Sequence, residues 1–206
     1  LIKNLPWLKD KINIEVINNP IDLSDLETDF DSNSKLNYDY IVSAGRLIHE
    51  KGFDNLVSAF KDISNKFPKL KLIILGEGKL RKNLLNQISL LNLEGKVILK
   101  GHVKNVYPYF KNAKLCVLSS RIEGFPNVLL QMMSQNINVV STLSAGDIDK
   151  LKGVKTVPVD DIKSLSNAMS HVLLKDNYQN REYFDLELQN RTLDSVINKI
   201  IQFSND

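Results

Sequence analysis

Three residues of this 206-residue chain have the types and spacing to do chemistry on a charged substrate: Arg46, Lys51 and Glu123. Arg46 follows the apolar run Tyr40–Ala44 and Gly45, and Lys51 lies five positions on, before Gly52. A guanidinium offers a planar fork to phosphate oxygens and an ammonium a point charge beside it, so the two can converge on one anion, for which a diphosphate has the right charge and size. In a chain with 27 basic residues, the alternative of two solvated surface charges stays open. Glu123 and Gly124 follow another apolar run, and Pro126 stands where a helix continuing through Val128–Met133 would open. The free amides of a helix start hold phosphate. Glu123 would repel phosphate, but a carboxylate accepts hydrogen bonds well from sugar hydroxyls. A sugar diphosphate meets both demands. The plainer alternative is a carboxylate that only charges the amino end of the helix.

These residues need a scaffold that brings distant loops together. Tyr40–Ala44 and Leu70–Leu75 have the length and branched side chains of buried strands, and Val97–Leu99, Lys114–Leu118, Ile137–Val140 and Val154–Val159 extend the series. Helical spacing falls between them, at Phe53, Leu56, Val57, Phe60 and Ile63, then at Leu80, Leu84, Leu85, Ile88 and Leu91. Further helices are expected near Asn105–Lys111, Asn127–Ser134 and Ile162–Leu173, and at Leu193, Val196, Ile197, Ile200 and Ile201; Asn177–Gln189 is polar and ambiguous. Strand and helix alternating with short connections predict an α/β domain, a Rossmann-like, doubly wound parallel sheet of about six strands with helices on both faces. Ligands bind beyond the carboxyl ends of such strands. Glycine recurs there, at Gly45, Gly52, Gly76, Gly78, Gly101, Gly124 and Gly146, consistent with backbone approaching a ligand.

Composition narrows the class. With 43% hydrophobic and 25% charged residues, the chain suits one globular domain, alone or with appended helices. Its net charge of +3 gives no reason to expect nucleic acid as a partner. The lone Cys116, among Leu115, Val117 and Leu118, is expected in the core, in a reducing cytoplasmic setting. No apolar run reaches the ~20 residues of a membrane span. Three scattered histidines and one cysteine form no zinc set. His49 and His171 are expected at the surface, and Met132 and Met133 in the core or on the helix surface.

Four motifs in order now carry a family resemblance: Gly45-Arg46-Leu47-Ile48-His49-Glu50-Lys51-Gly52, Leu75-Gly76-Glu77-Gly78, Lys100-Gly101-His102-Val103 and Glu123-Gly124-Phe125-Pro126-Asn127-Val128-Leu129-Leu130. Together they resemble the carboxyl-terminal, donor-binding domain of the GT-B retaining glycosyltransferases of family four, the glycosyl transferases group 1. The resemblance runs from about Ile12 to Leu173, and Pro20-Ile21-Asp22 after Asn18-Asn19 looks like the segment leading out of the interdomain linker. It implies a linker over residues 1–22, a nucleotide-sugar-binding domain over 23–176 and a C-terminal helical extension over 177–206. An amino-terminal acceptor domain would lie outside this sequence.

The resemblance also implies roles. Arg46, Lys51 and Glu123 would be catalytic, the cations on the donor diphosphate and Glu123 on the donor sugar. Donor binding would further involve Gly45, Gly78, Gly101, His102, Val103, Phe125, Pro126, Asn127, Val128 and Gln131, with Gly101, His102 and Val103 at the base and the amides near Asn127 and Val128 at phosphate. The substrate would be a nucleotide-diphosphate sugar, with no cofactor and no metal, since fixed cations do the work of a divalent ion. The whole enzyme would be a hexosyltransferase acting with retention on a glycan or lipid-linked acceptor in envelope polysaccharide synthesis, cytoplasmic or peripheral at the inner membrane face. The 206 residues alone would bind donor and transfer nothing.

Two departures from the family pattern stand out: Gln131 replaces a glutamate that bonds the ribose, and Gly146-Asp147-Ile148-Asp149 replaces a Gly-Pro-x-Glu loop. Gln131 is the main hint of the rival reading, a non-catalytic nucleotide-sugar-binding domain. A dinucleotide-binding oxidoreductase fits worse, because Gly76-Glu77-Gly78 lacks the third glycine of that fingerprint. His102 as a general base is set aside, since it falls in the base pocket.

Overall fold

The computed structural model describes residues 20–21 and 36–205. Most of the expected linker, including Asp22, and the first residues of the expected domain lie outside that range. Within it the order is β1 (Tyr40–Ala44), α1 (Phe53–Lys66), β2 (Lys71–Leu75), α2 (Arg81–Leu90), β3 (Val97–Gly101), α3 (Tyr107–Asn112), β4 (Leu115–Leu118), α4 (Asn127–Gln135), β5 (Val139–Thr142), β6 (Lys155–Val157), α5 (Ile162–Leu174), α6 (Asn180–Gln189) and α7 (Leu193–Asn205). Single 3-10 turns cover His49–Lys51 and Ile148–Lys150.

The six strands form one sheet in the order β3-β2-β1-β4-β5-β6, and every pairing is parallel. The chain starts at the centre, builds outward to β3 and then crosses to β4. The order therefore reverses between β1 and β4, where the loops after two adjacent strands diverge and leave a crevice. The doubly wound architecture expected from the sequence is the one found.

Burial explains why these segments are strands. Every residue of β1, β4 and β5 is buried, as in a sheet covered on both faces. Side chains alternate between two cores: Ile41, Leu72, Ile74, Leu115 and Val117 pack with α1, α2 and α5, while Tyr40, Val42, Ile73, Cys116 and Leu118 pack with α3, α4 and α6. α1 buries the five residues its spacing indicated, and Met132 and Met133 are fully enclosed. Cys116 is buried as expected, and burial pushes its thiol well above the ordinary range.

Several expectations shift. In α2 only Leu84 and Ile88 are buried, while Leu85 is exposed and Leu80 precedes the helix. β5 begins two residues later than the apolar run suggested, because Asn136 and Asn138 form a turn whose side chains bond the backbone of Phe110, Ala113 and Lys114. The ambiguous polar stretch contains α6, whose inward residues are Phe184 and Leu188. In α7 Val196 is buried, whereas Leu193, Ile197, Ile200 and Ile201 remain exposed.

Candidate functional site

Beyond the carboxyl ends of β1, β2 and β3 lies a cleft of about 360 Å³ lined by Ala44, Gly45, Arg46, Leu75, Gly76, Glu77, His102, Val103 and Val106. It brings Arg46 together with His102 and Val103, the residues expected at the base. Arg46 is exposed, and its side chain has no hydrogen-bond or ionic partner among the described residues. A larger cavity, about 440 Å³, opens at the opposite pole among Asp39, Pro68, Leu70, Lys114 and Asn138. Those residues precede their strands, where a parallel sheet presents no diverging loops, so the smaller cleft is the better candidate.

Lys51 and Glu123 meet beside that cleft. The Lys51 Nζ donates to Glu123 Oε1 at 2.5 Å, with only 18% and 12% of the two side chains exposed. Ser120 Oγ donates to the same oxygen at 2.6 Å. Oε2 therefore keeps its acceptor capacity among the described residues. The Lys51 side chain passes Gly45, where an added Cβ would stand 3.5 Å from Lys51 Cδ, so the pair borders the Arg46 cleft. Both cations are expected to converge on an anion; in the structure Lys51 is held on the carboxylate while Arg46 is open.

Local structure fixes this pairing. Lys51 ends a 3-10 turn closed by Gly52, whose φ of 61° is left-handed and which begins α1. A Cβ at Gly52 would lie 2.1 Å from the Ser119 carbonyl, so the close approach of the two loops requires glycine. Ser119 Oγ donates to the Lys51 carbonyl at 3.0 Å across the same contact. On the other side, the Glu123 N–H donates to the Ser144 carbonyl at 2.8 Å, tying this loop to the one after β5. Ser144 Oγ is buried there with no hydrogen-bond partner.

Gly76 repeats the lesson, since a Cβ there would meet the Gly45 carbonyl at 2.0 Å. The clustered glycines thus let strand-end loops touch one another. Gly78 packs on the Leu47 backbone, and Gly101 is buried with its carbonyl accepting from Gly76 N–H at 2.7 Å, so neither lines the cleft. Gly124 and Gly146 instead have open space where a side chain would be.

Pro126 occupies the cap position of α4, Asn127 begins the helix, and no side chain caps it. The positive end of the helix dipole suits an anion. Gln131 lies one turn in, its Nε2 at 3.5 Å from the Tyr107 hydroxyl. Val128 is half-buried and Phe125 packs inward.

One residue that sequence reasoning missed is Arg121. It forms a bidentate pair with Asp54 of α1 at 2.8 and 2.7 Å, donates through Nε to Asp160 at 2.6 Å and bonds the His49 carbonyl at 2.7 Å. Its backbone N–H bonds the Glu50 carbonyl at 2.7 Å. Arg121 therefore binds the Glu123 loop to the turn that carries Lys51. The hydrogen bonds that Arg121 donates to Asp54 raise the Arg121 pKa. Burial would raise the Asp54 carboxyl, but the bonds and charge of Arg121 outweigh it and hold it below the usual range. Both partners are far away in sequence, and only its place beside Glu123 marked it. Among the described residues no His, Cys, Asp and Glu cluster could hold a metal ion, and no helix is long and apolar enough to cross a membrane.

Known proteins resemble this chain in sequence and in fold. An uncharacterized glycosyltransferase of Methanocaldococcus jannaschii is 41% identical over 101 residues, 49% of this chain and 25% of the relative. A Campylobacter jejuni N-acetylgalactosaminyltransferase, whose name specifies a diphospho-undecaprenol acceptor, is 37% identical over 128 residues, 62% of this chain and 34% of the relative. The chain thus matches about a quarter to a third of these relatives' length. The structure of Staphylococcus aureus TarM in complex with UDP superposes with a TM-score of 0.77 at 20% identity, covering 99% of this chain and 42% of TarM. Residues 25–185 match the family described as Glycosyl transferases group 1, and the chain belongs to that family.

Proposed function

We propose that this chain is the donor-binding half of a retaining glycosyltransferase that moves a hexose from a nucleotide-diphosphate sugar to a glycan or lipid-linked acceptor. The observation that carries this reading is the Lys51–Glu123 pair at the β1/β4 crevice, with Arg46 open beside it. A diphosphate entering the crevice competes with Glu123 for Lys51 and adds Arg46 and the α4 amides as further donors. Glu123, relieved of the ammonium and still held by Ser120, turns its oxygens to sugar hydroxyls.

The bond between the anomeric carbon and the diphosphate oxygen then breaks, leaving positive charge on the sugar and negative charge on the nucleoside diphosphate. Donors fixed beforehand stabilise that developing charge without reorganising. This chemistry needs no divalent cation. The cleft beside Arg46, with His102 and Val103 on its wall, is where the base would lie. UDP in the TarM structure and the diphospho-undecaprenol acceptor in the Campylobacter relative's name support the ligand class and a lipid-linked acceptor.

Calorimetric titration with UDP and GDP tests the reading. One of them is expected to bind, and Arg46→Ala combined with Lys51→Ala to weaken it at least about tenfold, since each charge-assisted bond is worth about 1.5–3 kcal/mol. Failure of the intact chain to bind either nucleotide contradicts the proposal.

A further inference from the structure

We infer that Arg191, in the turn between α6 and α7, is a positioning residue for the loop that carries Glu123, acting through Phe125. The inference rests on the donor-binding reading of that loop. Arg191 is only 2% exposed, and a guanidinium so enclosed must be compensated. Its Nε donates to Glu187 Oε1 at 2.5 Å, and its guanidinium carbon lies 4.5 Å from the centre of the Phe125 ring. Nη1 has no acceptor among the described residues. Among them a carboxylate and an aromatic face compensate the buried charge, and the aromatic face belongs to the loop.

Phe125 stands two residues after Glu123 and directly before Pro126, so fixing its ring fixes the path between the carboxylate and the α4 amides. Between Glu123, whose N–H is tied to Ser144, and the buried Pro126, a Cβ at Gly124 would meet nothing among the described residues, and Phe125 is the side chain that holds this stretch. The backbone of Arg191 is tied as well. Its N–H bonds the Leu188 carbonyl at 3.0 Å, and its carbonyl accepts from Ile21 N–H at 2.8 Å. One residue thus joins the segment at Ile21, the end of α6 and the donor loop.

The test uses this chain with Arg191→Ala, Arg191→Lys, Phe125→Leu, Phe125→Tyr and the Arg191→Ala/Phe125→Leu double variant. Hydrogen exchange at the Gly124, Phe125, Asn127 and Val128 amides is measured beside calorimetric UDP affinity and melting temperature. Arg191→Ala and Phe125→Leu are each expected to speed exchange at these amides about 2- to 30-fold, the range of a partly buried cation–π contact. Each is also expected to weaken UDP by a similar factor, and the double variant to go no further than either single change. Phe125→Tyr, which keeps the ring face, is expected to keep parental exchange at the Gly124, Asn127 and Val128 amides. Additive effects in the double variant, or parental loop exchange in Arg191→Ala despite a lowered melting temperature, would overturn the inference. Should Arg191→Ala fail to fold, Arg191→Lys, which keeps the charge but loses the planar stack, replaces it in the cycle on the same criteria. Absence of UDP binding by the parent chain counts against the donor reading, while the exchange measurements still decide the coupling.

Discussion

Glu123 accepts two hydrogen bonds on one oxygen, from an ammonium and a hydroxyl, and the ammonium is the cation a phosphate would claim. That shared use predicts opposite effects on two ligands. Glu123→Gln removes the charge holding Lys51 but keeps the shape, so UDP affinity should hold within about threefold or tighten, while a nucleotide sugar should weaken about 10- to 100-fold as hydrogen bonds to a charged acceptor are lost. Parallel titrations of UDP and UDP-sugar read this directly, and equal losses for both would argue that Glu123 only shapes the loop. Arg121 makes the pH prediction. Its bonds hold the Asp54 carboxyl low, and Asp160 is also lowered, first by its bond from Asn55 and then by Arg121. A depressed carboxylate contributes stability above its unfolded pKa and loses it as pH falls through the folded value. The chain should therefore lose melting temperature below about pH 4, and Asp54→Asn should flatten that acid limb while lowering stability at pH 7. An unchanged acid limb in Asp54→Asn would remove Arg121–Asp54 as its cause. None of this pairing was legible in the sequence: Arg121 and Asp54 are 67 residues apart, and no spacing rule joins them.

At the scale of elements the sequence was far more informative, for a physical reason. Strands covered on both faces are mostly apolar, so β1, β2 and β4 announce themselves, and α1 shows its five inward residues at regular spacing. α6 was hidden because a helix lying over α4 needs only Phe184 and Leu188 to hold it. The strand-end glycines were visible, but what they meet was not. They were expected to admit a ligand, whereas Gly52 and Gly76 admit neighbouring loops. Two alanine substitutions separate backbone conformation from that contact. Gly95 and Gly52 are both left-handed, at φ 72° and 61°, yet a Cβ at Gly95 meets nothing within 4 Å while one at Gly52 strikes the Ser119 carbonyl. Gly95→Ala should cost about 1–2 kcal/mol, the strain of a left-handed residue alone. Gly52→Ala should cost clearly more, in urea unfolding, and should also weaken UDP because it separates Lys51 from Glu123. Equal costs would mean that the β4 loop yields freely and does not fix the pair.

On the scale of the whole molecule, the proposed reading makes the crevice between β1 and β4 one wall of a reaction centre. In that reading Arg46, Lys51, Glu123 and the α4 amides address the donor, and His102, on the cleft wall with Val103, stands where the base would lie. On the proposed reading none of these residues takes the proton of an acceptor hydroxyl, which a transfer reaction requires. Binding and turnover should therefore separate in this chain. The 206 residues should bind UDP, and incubation with a UDP-sugar and a lipid-linked or glycan acceptor should release UDP no faster than in buffer. Supplying the remainder of a full-length relative, fused ahead of this chain, should restore transfer while leaving UDP affinity within about threefold, because proximity and proton transfer act on the reaction step and little on donor binding. Glycoside formation by the chain on its own would show instead that an acceptor site and its base lie within these residues.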